Sequence, residues 1–119
     1  MKVAITAQGK DLDSQVDPRF GRAAYILIVD TVDEKVEVLD NSENVNAFKG
    51  AGIQAAVMIG DKGADVLLTG FCGPNAFKTL AAAGVKVAND ASGKVRDVLE
   101  AFNNGKMPLT DSANVEGHW

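Results

Sequence analysis

Residues 65–77 read DVLLTGFCGPNAF. The run DVLLT is continuously apolar and has the length of a strand, as in a central strand covered on both faces. Pro74 then stands where a helix would open, since its ring presets φ and its missing N–H is not needed at the first helical position. A buried strand that passes through a glycine-rich turn directly into a helix is the basic unit of an α/β sheet. The turn lies beyond the carboxyl end of that strand, where open α/β sheets take their ligands. With Gly73 as N-cap, the amides of Asn75, Ala76 and Phe77 lack intrahelical partners, and with the helix dipole they form an anion site. The same residues also serve as a well-capped turn with no ligand, and local sequence leaves both readings open.

Working outward, KVAITA at residues 2–7 is a first strand with Val3 and Ile5 on one face. AAYILIVD and KVEVLD, joined by TVDE, read as a β-hairpin. A helix is predicted from Gly50 to Lys62 with Ile53, Ala56, Val57 and Gly60 as its apolar stripe. The helix from Pro74 carries Phe77, Leu80, Ala81 and Gly84 at the same spacing, and Val85–Ala88 is a short strand. A last helix, Ser92 to Asn104, carries Val95, Val98, Leu99 and Phe102. Gly63, Gly84 and Gly105 stand at C-terminal cap positions. The order βββαβαβα predicts one α/β domain over 1–105. Its five-stranded sheet is mixed, antiparallel through the hairpin and parallel through the crossovers, with helices packed on it. Residues 106–119 form a polar tail that ends in His118 and Trp119.

The chain has 119 residues, of which 46% are hydrophobic and 24% charged, enough for a core without staples. One cysteine allows no internal disulfide, and the start lacks a basic, then apolar, leader, so a cytoplasmic location is expected. No apolar run approaches the ~20 residues that span a bilayer. A net charge of −4 argues against general attraction to nucleic acid or an anionic membrane. An anion would therefore have to be drawn by a local patch.

DPRFGR, residues 17–22, offers such a patch. Asp-Pro opens a turn, Gly21 permits a positive φ, and Arg19 and Arg22 supply two permanent charges. Beside free helix amides they suit a compact, multiply charged anion, although solvated arginines paired with Asp11, Asp13 or Asp17 are the plainer reading of this stretch taken alone. Phe20 between them either covers a ligand or anchors the loop. The stretch preceding it, from Gln8, is too long for a tight turn, and loops of that kind are often functional.

Gly50-Ala51-Gly52-Ile53-Gln54-Ala55 matches G-x-G-x-x-A, but no strand directly precedes it and no acidic residue closes the next strand. It reads better as a third backbone turn feeding the same pocket, with Gly50 and Gly52 as its contacts. No Walker A sequence is present. Cys72, just outside the helix at its positive end, is placed to favour the thiolate. It has no base nearby in sequence, because the single histidine, His118, is on the tail. Cys72 and His118 together fall short of a zinc ligand set. A small apolar residue lining the turn is the plainer reading of Cys72.

AITAQGKDLDSQVDPRFGRA, NSEN followed by GAGIQAA, TGFCGPNAF and DSANVEGHW resemble, in this order and over essentially the whole chain, the dinitrogenase iron–molybdenum cofactor biosynthesis family. The resemblance implies a ribonuclease-H-like fold and the binding or carriage of a metal–sulfur cofactor. Within the branch it matches best, this is a molybdenum–copper–sulfide cluster held non-covalently. Nitrogenase-branch carriers have His-Phe-Gly where this chain has Arg19-Phe20-Gly21. An iron-ligating histidine is thus replaced by a cation that cannot coordinate metal, which favours an intact anionic cluster over the iron–molybdenum cofactor. The expected contacts are then Arg19, Phe20, Gly21, Arg22, Gly50, Gly52 and the turn Gly70, Phe71, Cys72, Gly73, Pro74, Asn75 and Ala76, with Phe20 and Phe71 as shields from water. The resemblance also implies a Walker-type ATPase partner of the Min/ParA class in a cell-division complex.

Three classes of function follow: a non-enzymatic cluster carrier, a nuclease by analogy of fold, and a module that docks an ATPase. Two-metal nuclease chemistry needs several carboxylates, normally with one on the first strand. KVAITA has none.

Overall fold

Lys2–Ala7 forms β1, Tyr25–Asp30 β2 and Val36–Asp40 β3, followed by α1 (Ala51–Asp61), β4 (Val66–Leu68), α2 (Pro74–Ala82), β5 (Lys86–Ala88) and α3 (Val95–Asn103) in the computed structural model. The structure describes residues 1–42 and 50–110; the linker from Glu43 to Lys49 and the terminal His118 and Trp119 lie outside them. The sheet has five strands in the order β3-β2-β1-β4-β5. β1–β2 and β2–β3 pair antiparallel, whereas β1–β4 and β4–β5 pair parallel. This is the mixed arrangement expected from the element order, and it fits the ribonuclease-H-like fold that the resemblance implies.

Alternation along the central strands builds two cores. Val3, Ile5 and Ala7 of β1 face Val95, Val98 and Leu99 of α3, together with Leu27, Leu68 and Ala88. Ala4 lies on the other face with Ile26, Leu67 and Val87, under Ala55, Ala56 and Ile59 of α1 and Ala76 and Leu80 of α2. A central strand buried on both faces can carry almost no charge, which is why β4 reads VLL. Among the described residues no helix is long and apolar enough to cross a membrane.

Three readings need correction. The buried face of α1 is Ala51, Ala55, Ala56 and Ile59, while Ile53 and Val57 are exposed, at 40% and 49%. Both sets have helical spacing; packing selects the alanine face, which lets α1 approach the sheet and α2 closely. Gly52 would bring an added Cβ to 3.0 Å from Ala76 Cβ. In α2, Ala76 and Leu80 are buried and Ala81 is exposed. Finally, α3 begins at Val95 and not at Ser92, because the segment before it pairs with the long loop. Val16 N–H donates to the Gly93 carbonyl (2.8 Å), and Gln15 bridges Lys94.

The carboxyl ends of β1, β4 and β5 share one end of the sheet with the start of β2, since Ala7 pairs with Tyr25. The long loop, the 69–74 turn, the 89–94 loop and the beginnings of α1 and α2 all gather there. After α3 the chain returns to the sheet edge, where Thr110 N–H donates to the Val87 carbonyl at 2.7 Å.

Candidate functional site

The two stretches with the strongest chemistry, DPRFGR and GFCGPNAF, are stitched together by backbone bonds. Phe20 N–H donates to the Phe71 carbonyl (3.1 Å) and Phe71 N–H to the Pro18 carbonyl (2.6 Å), so Arg19 lies alongside Phe71 in a parallel bridge. Gly70 makes this approach feasible, since an added Cβ would sit 2.7 Å from Pro18 Cα and O. Gly21, at φ +92°, lies against the start of α1, where a Cβ would meet Gly52 N and Cα at 2.7 Å. Gly50 is the N-cap of α1 and Gly73 that of α2, with Pro74 at the first helical turn. The arginine loop and two helix starts are therefore neighbours.

Buried polar side chains lock this arrangement. Thr6 Oγ1 donates to the Asp17 carbonyl (2.7 Å), which leaves Thr69 Oγ1 to donate to Thr6 Oγ1 at 2.9 Å. Asp17 Oδ1 accepts the Arg19 backbone N–H at 3.1 Å. Asn41, fully buried, donates from Nδ2 to the carbonyls of Gly21 (3.1 Å) and Ala23 (2.8 Å). Apart from Asp17, none of these positions stood out in the sequence. Each acts through a partner distant along the chain, and alternation within β1 was the only signal that Thr6 points inward.

The electrostatics divide the helix starts. The amides of Val95 and Arg96 at α3 are engaged by the carbonyls of Ser14 (2.9 Å) and Leu12 (2.8 Å). At α2, Phe77 N–H already donates to the Gly73 carbonyl at 2.9 Å, so it is not among the free donors expected. The amides of Asn75 and Ala76 have no partner among the described residues. Arg19 is exposed and its guanidinium makes no ion pair among the described residues. Asp13 is bound instead by Arg96 at 3.0 Å, a hydrogen bond that holds its carboxyl below the usual carboxylate range. Arg22 is part-buried, and its N–H turns back to the Arg19 carbonyl at 3.3 Å.

Burial decides between the readings of two residues here. Cys72 is fully buried in the core beneath α1 and α2, and burial pushes its thiol up to about 12, which outweighs the helix-end effect that would favour a thiolate. Its Sγ–H points to the Gly73 carbonyl at 3.7 Å. It is a core residue and not a nucleophile at neutral pH. Phe20, 6% exposed, belongs to the same core and anchors the loop, while Phe71 at 37% is the aromatic left at the surface. A separate hollow of about 370 Å³ lies at the opposite end of the sheet, lined by Lys2 and Lys35 but also by Asp30, Asp33 and Glu37. Its three carboxylates make it a poor place for an anion.

Comparison with known proteins gives a consistent assignment. The family described as dinitrogenase iron–molybdenum cofactor matches residues 1–105. Among solved structures, the apo form of the orange protein from Desulfovibrio gigas is 44% identical, with 96% of each chain covered and a TM-score of 0.93. A Thermotoga protein described as a NifB protein of the DUF35 family is 39% identical over 98% of each chain, with a TM-score of 0.84. A Methanocaldococcus jannaschii protein at 18% identity and a TM-score of 0.71 shares the fold, over 94% of this chain and 96% of its own. No match is found among curated proteins. With nearly its whole length matched, the chain belongs to the dinitrogenase iron–molybdenum cofactor family.

Proposed function

We propose that this protein is a non-enzymatic carrier of a preassembled, anionic molybdenum–copper–sulfide cluster, working in the cytoplasm. The observation that carries the reading is the junction of the Arg19–Arg22 loop with the start of α2, where the Asn75 and Ala76 amides have no partner among the described residues. Amides at a helix start and guanidinium groups suit a compact anion whose charge is spread over several acceptor atoms. The donor chemistry fits a cluster that brings its own sulfide bridges. Among the described residues no group of three or more His, Cys, Asp and Glu is placed to hold a metal ion. Gly21, Gly52 and Gly70 keep the backbone close-packed around the junction, and Phe71 offers an apolar edge. The likeness to the orange protein and the family description support the binding of a metal–sulfur cofactor or cluster. Arg19 in place of a histidine favours the complete cluster over the iron–molybdenum cofactor.

Reconstitution tests the reading. Apo-protein mixed with tetrathiomolybdate and copper, then desalted, should carry visible absorbance in the protein fraction, whereas a colourless fraction contradicts the proposal. Cys72→Ser should keep most of the colour, because the thiol is in the core; complete loss would mean that the sulfur ligates metal. The exposed Ile53 and Val57 favour a second, compatible reading in which α1 docks a partner such as a Min/ParA-class ATPase. Co-purification from a native host, with and without the cluster, separates the two.

A further inference from the structure

Asn89 follows β5 at the carboxyl end of the sheet, and its Oδ1 is buried with no hydrogen-bond partner. It is bracketed by bonds to the 69–70 segment: Thr69 N–H donates to the Ala88 carbonyl (3.1 Å), Asp90 N–H to the Gly70 carbonyl (2.9 Å) and Ala91 N–H to the Thr69 carbonyl (3.0 Å). Val87 lies in the core beneath α1 and α2, and Ala88 in the core beneath α3. Continuing that alternation places Asn89 on the α2 face, beside the strand end from which the turn to α2 departs. Asp90 then takes a φ of +65°, which turns the chain away from the strand direction.

A buried polar atom without a partner destabilises a fold, and an apolar side chain of similar size would remove that cost. A carboxamide at this place has a use if something outside the chain completes it. We propose that Asn89 is a further ligand-binding residue of the site at the start of α2, donating from its carboxamide N–H groups to the bound anion. The inference rests on the reading of that site as an anion site. Turning the carboxamide about χ2 presents Nδ2 in place of Oδ1, and no protein hydrogen bond is lost from the buried oxygen. The donor end is the one that suits a sulfide-faced or oxygen-faced anion.

The test compares wild type, Asn89→Leu and Asn89→Asp after reconstitution with tetrathiomolybdate and copper. Asn89→Leu should fold with an unchanged or higher Tm and retain the cluster roughly tenfold more weakly, the scale of one hydrogen bond to a charged acceptor. Asn89→Asp, which replaces donors with a negative charge, should be weaker still. A Leu variant that retains the cluster as tightly as wild type overturns the inference. A second readout follows the Asn89 side-chain NH2 resonance of the wild-type protein during titration with tetrathiomolybdate alone. A shift supports the inference, and an unmoved resonance overturns it. If that resonance shifts although wild type retains no colour, the cluster assignment fails and the inference about Asn89 stands.

Discussion

Replacing Arg19 and Arg22 together by Glu is expected to abolish retention of a thiometallate cluster, and Arg19→Glu alone to weaken retention and leave the protein folded. Each charge-assisted contact is worth about 1.5–3 kcal/mol, and reversal puts repulsion in its place. The combined loss is on the order of a thousandfold or more in affinity. Arg19 is exposed on a loop whose position is set by the backbone bonds of Pro18 and Phe20 with Phe71 and by the Thr6 and Asn41 side chains, so the framework does not depend on its guanidinium. Thermal unfolding and absorbance after desalting read the two effects separately. Full colour in the doubly reversed variant would mean that the anion binds elsewhere.

Gly21→Ala should have the largest structural effect of any single methyl group at the site. The residue has a φ of +92°, which non-glycine residues rarely adopt, and the added Cβ would overlap Gly52 backbone atoms at 2.7 Å. Strain and overlap each cost about 1–3 kcal/mol, so Tm should fall by roughly 10 °C. The clash must be relieved by moving the arginine loop away from the start of α1, so cluster retention should fall as well. Gly63→Ala is the control: its φ is also positive, at +75°, but no atom lies within 4 Å of the added Cβ. It should lose stability through backbone strain alone and keep its affinity. Equal loss of affinity in both variants would show that general destabilisation, and not the Gly21 junction, is responsible.

The architecture was legible because local signals and periodicity agreed. The apolar VLL of β4, the Pro74 helix start and the hairpin between β2 and β3 each specify one element, and their order specifies the sheet. The convergence of DPRFGR with GFCGPNAF was legible only as charge beside free amides; the bonds between Pro18, Phe20 and Phe71 that realise it are long-range in sequence. The face of α1 was misread because Ile53 and Val57 are larger than the alanines, and apolarity weighed more than fit. The buried face instead carries Ala51, Ala55 and Ala56, and Gly52 and Gly60 allow the close approach to Ala76 and Ala83 of the α2 segment. For Cys72 burial bears out the plainer reading of a small apolar residue lining the turn; the helix-end effect is visible in sequence, whereas the depth of burial that outweighs it is not. Thr6, Asn41 and Asn89 look ordinary as residue types; the importance of the first two comes from being buried, and that of Asn89 from one buried oxygen without a partner.

The central claim is that the anion sits between the arginine loop and the start of α2. A titration of ¹⁵N-labelled apo-protein with tetrathiomolybdate and copper, followed amide by amide, tests it most directly. The largest shifts are expected at Asn75 and Ala76 and across residues 18–22, with little change at Lys2, Lys35 and Glu37 at the far end of the sheet. Shifts concentrated at that far end, or absent from Asn75 and Ala76, would contradict the account.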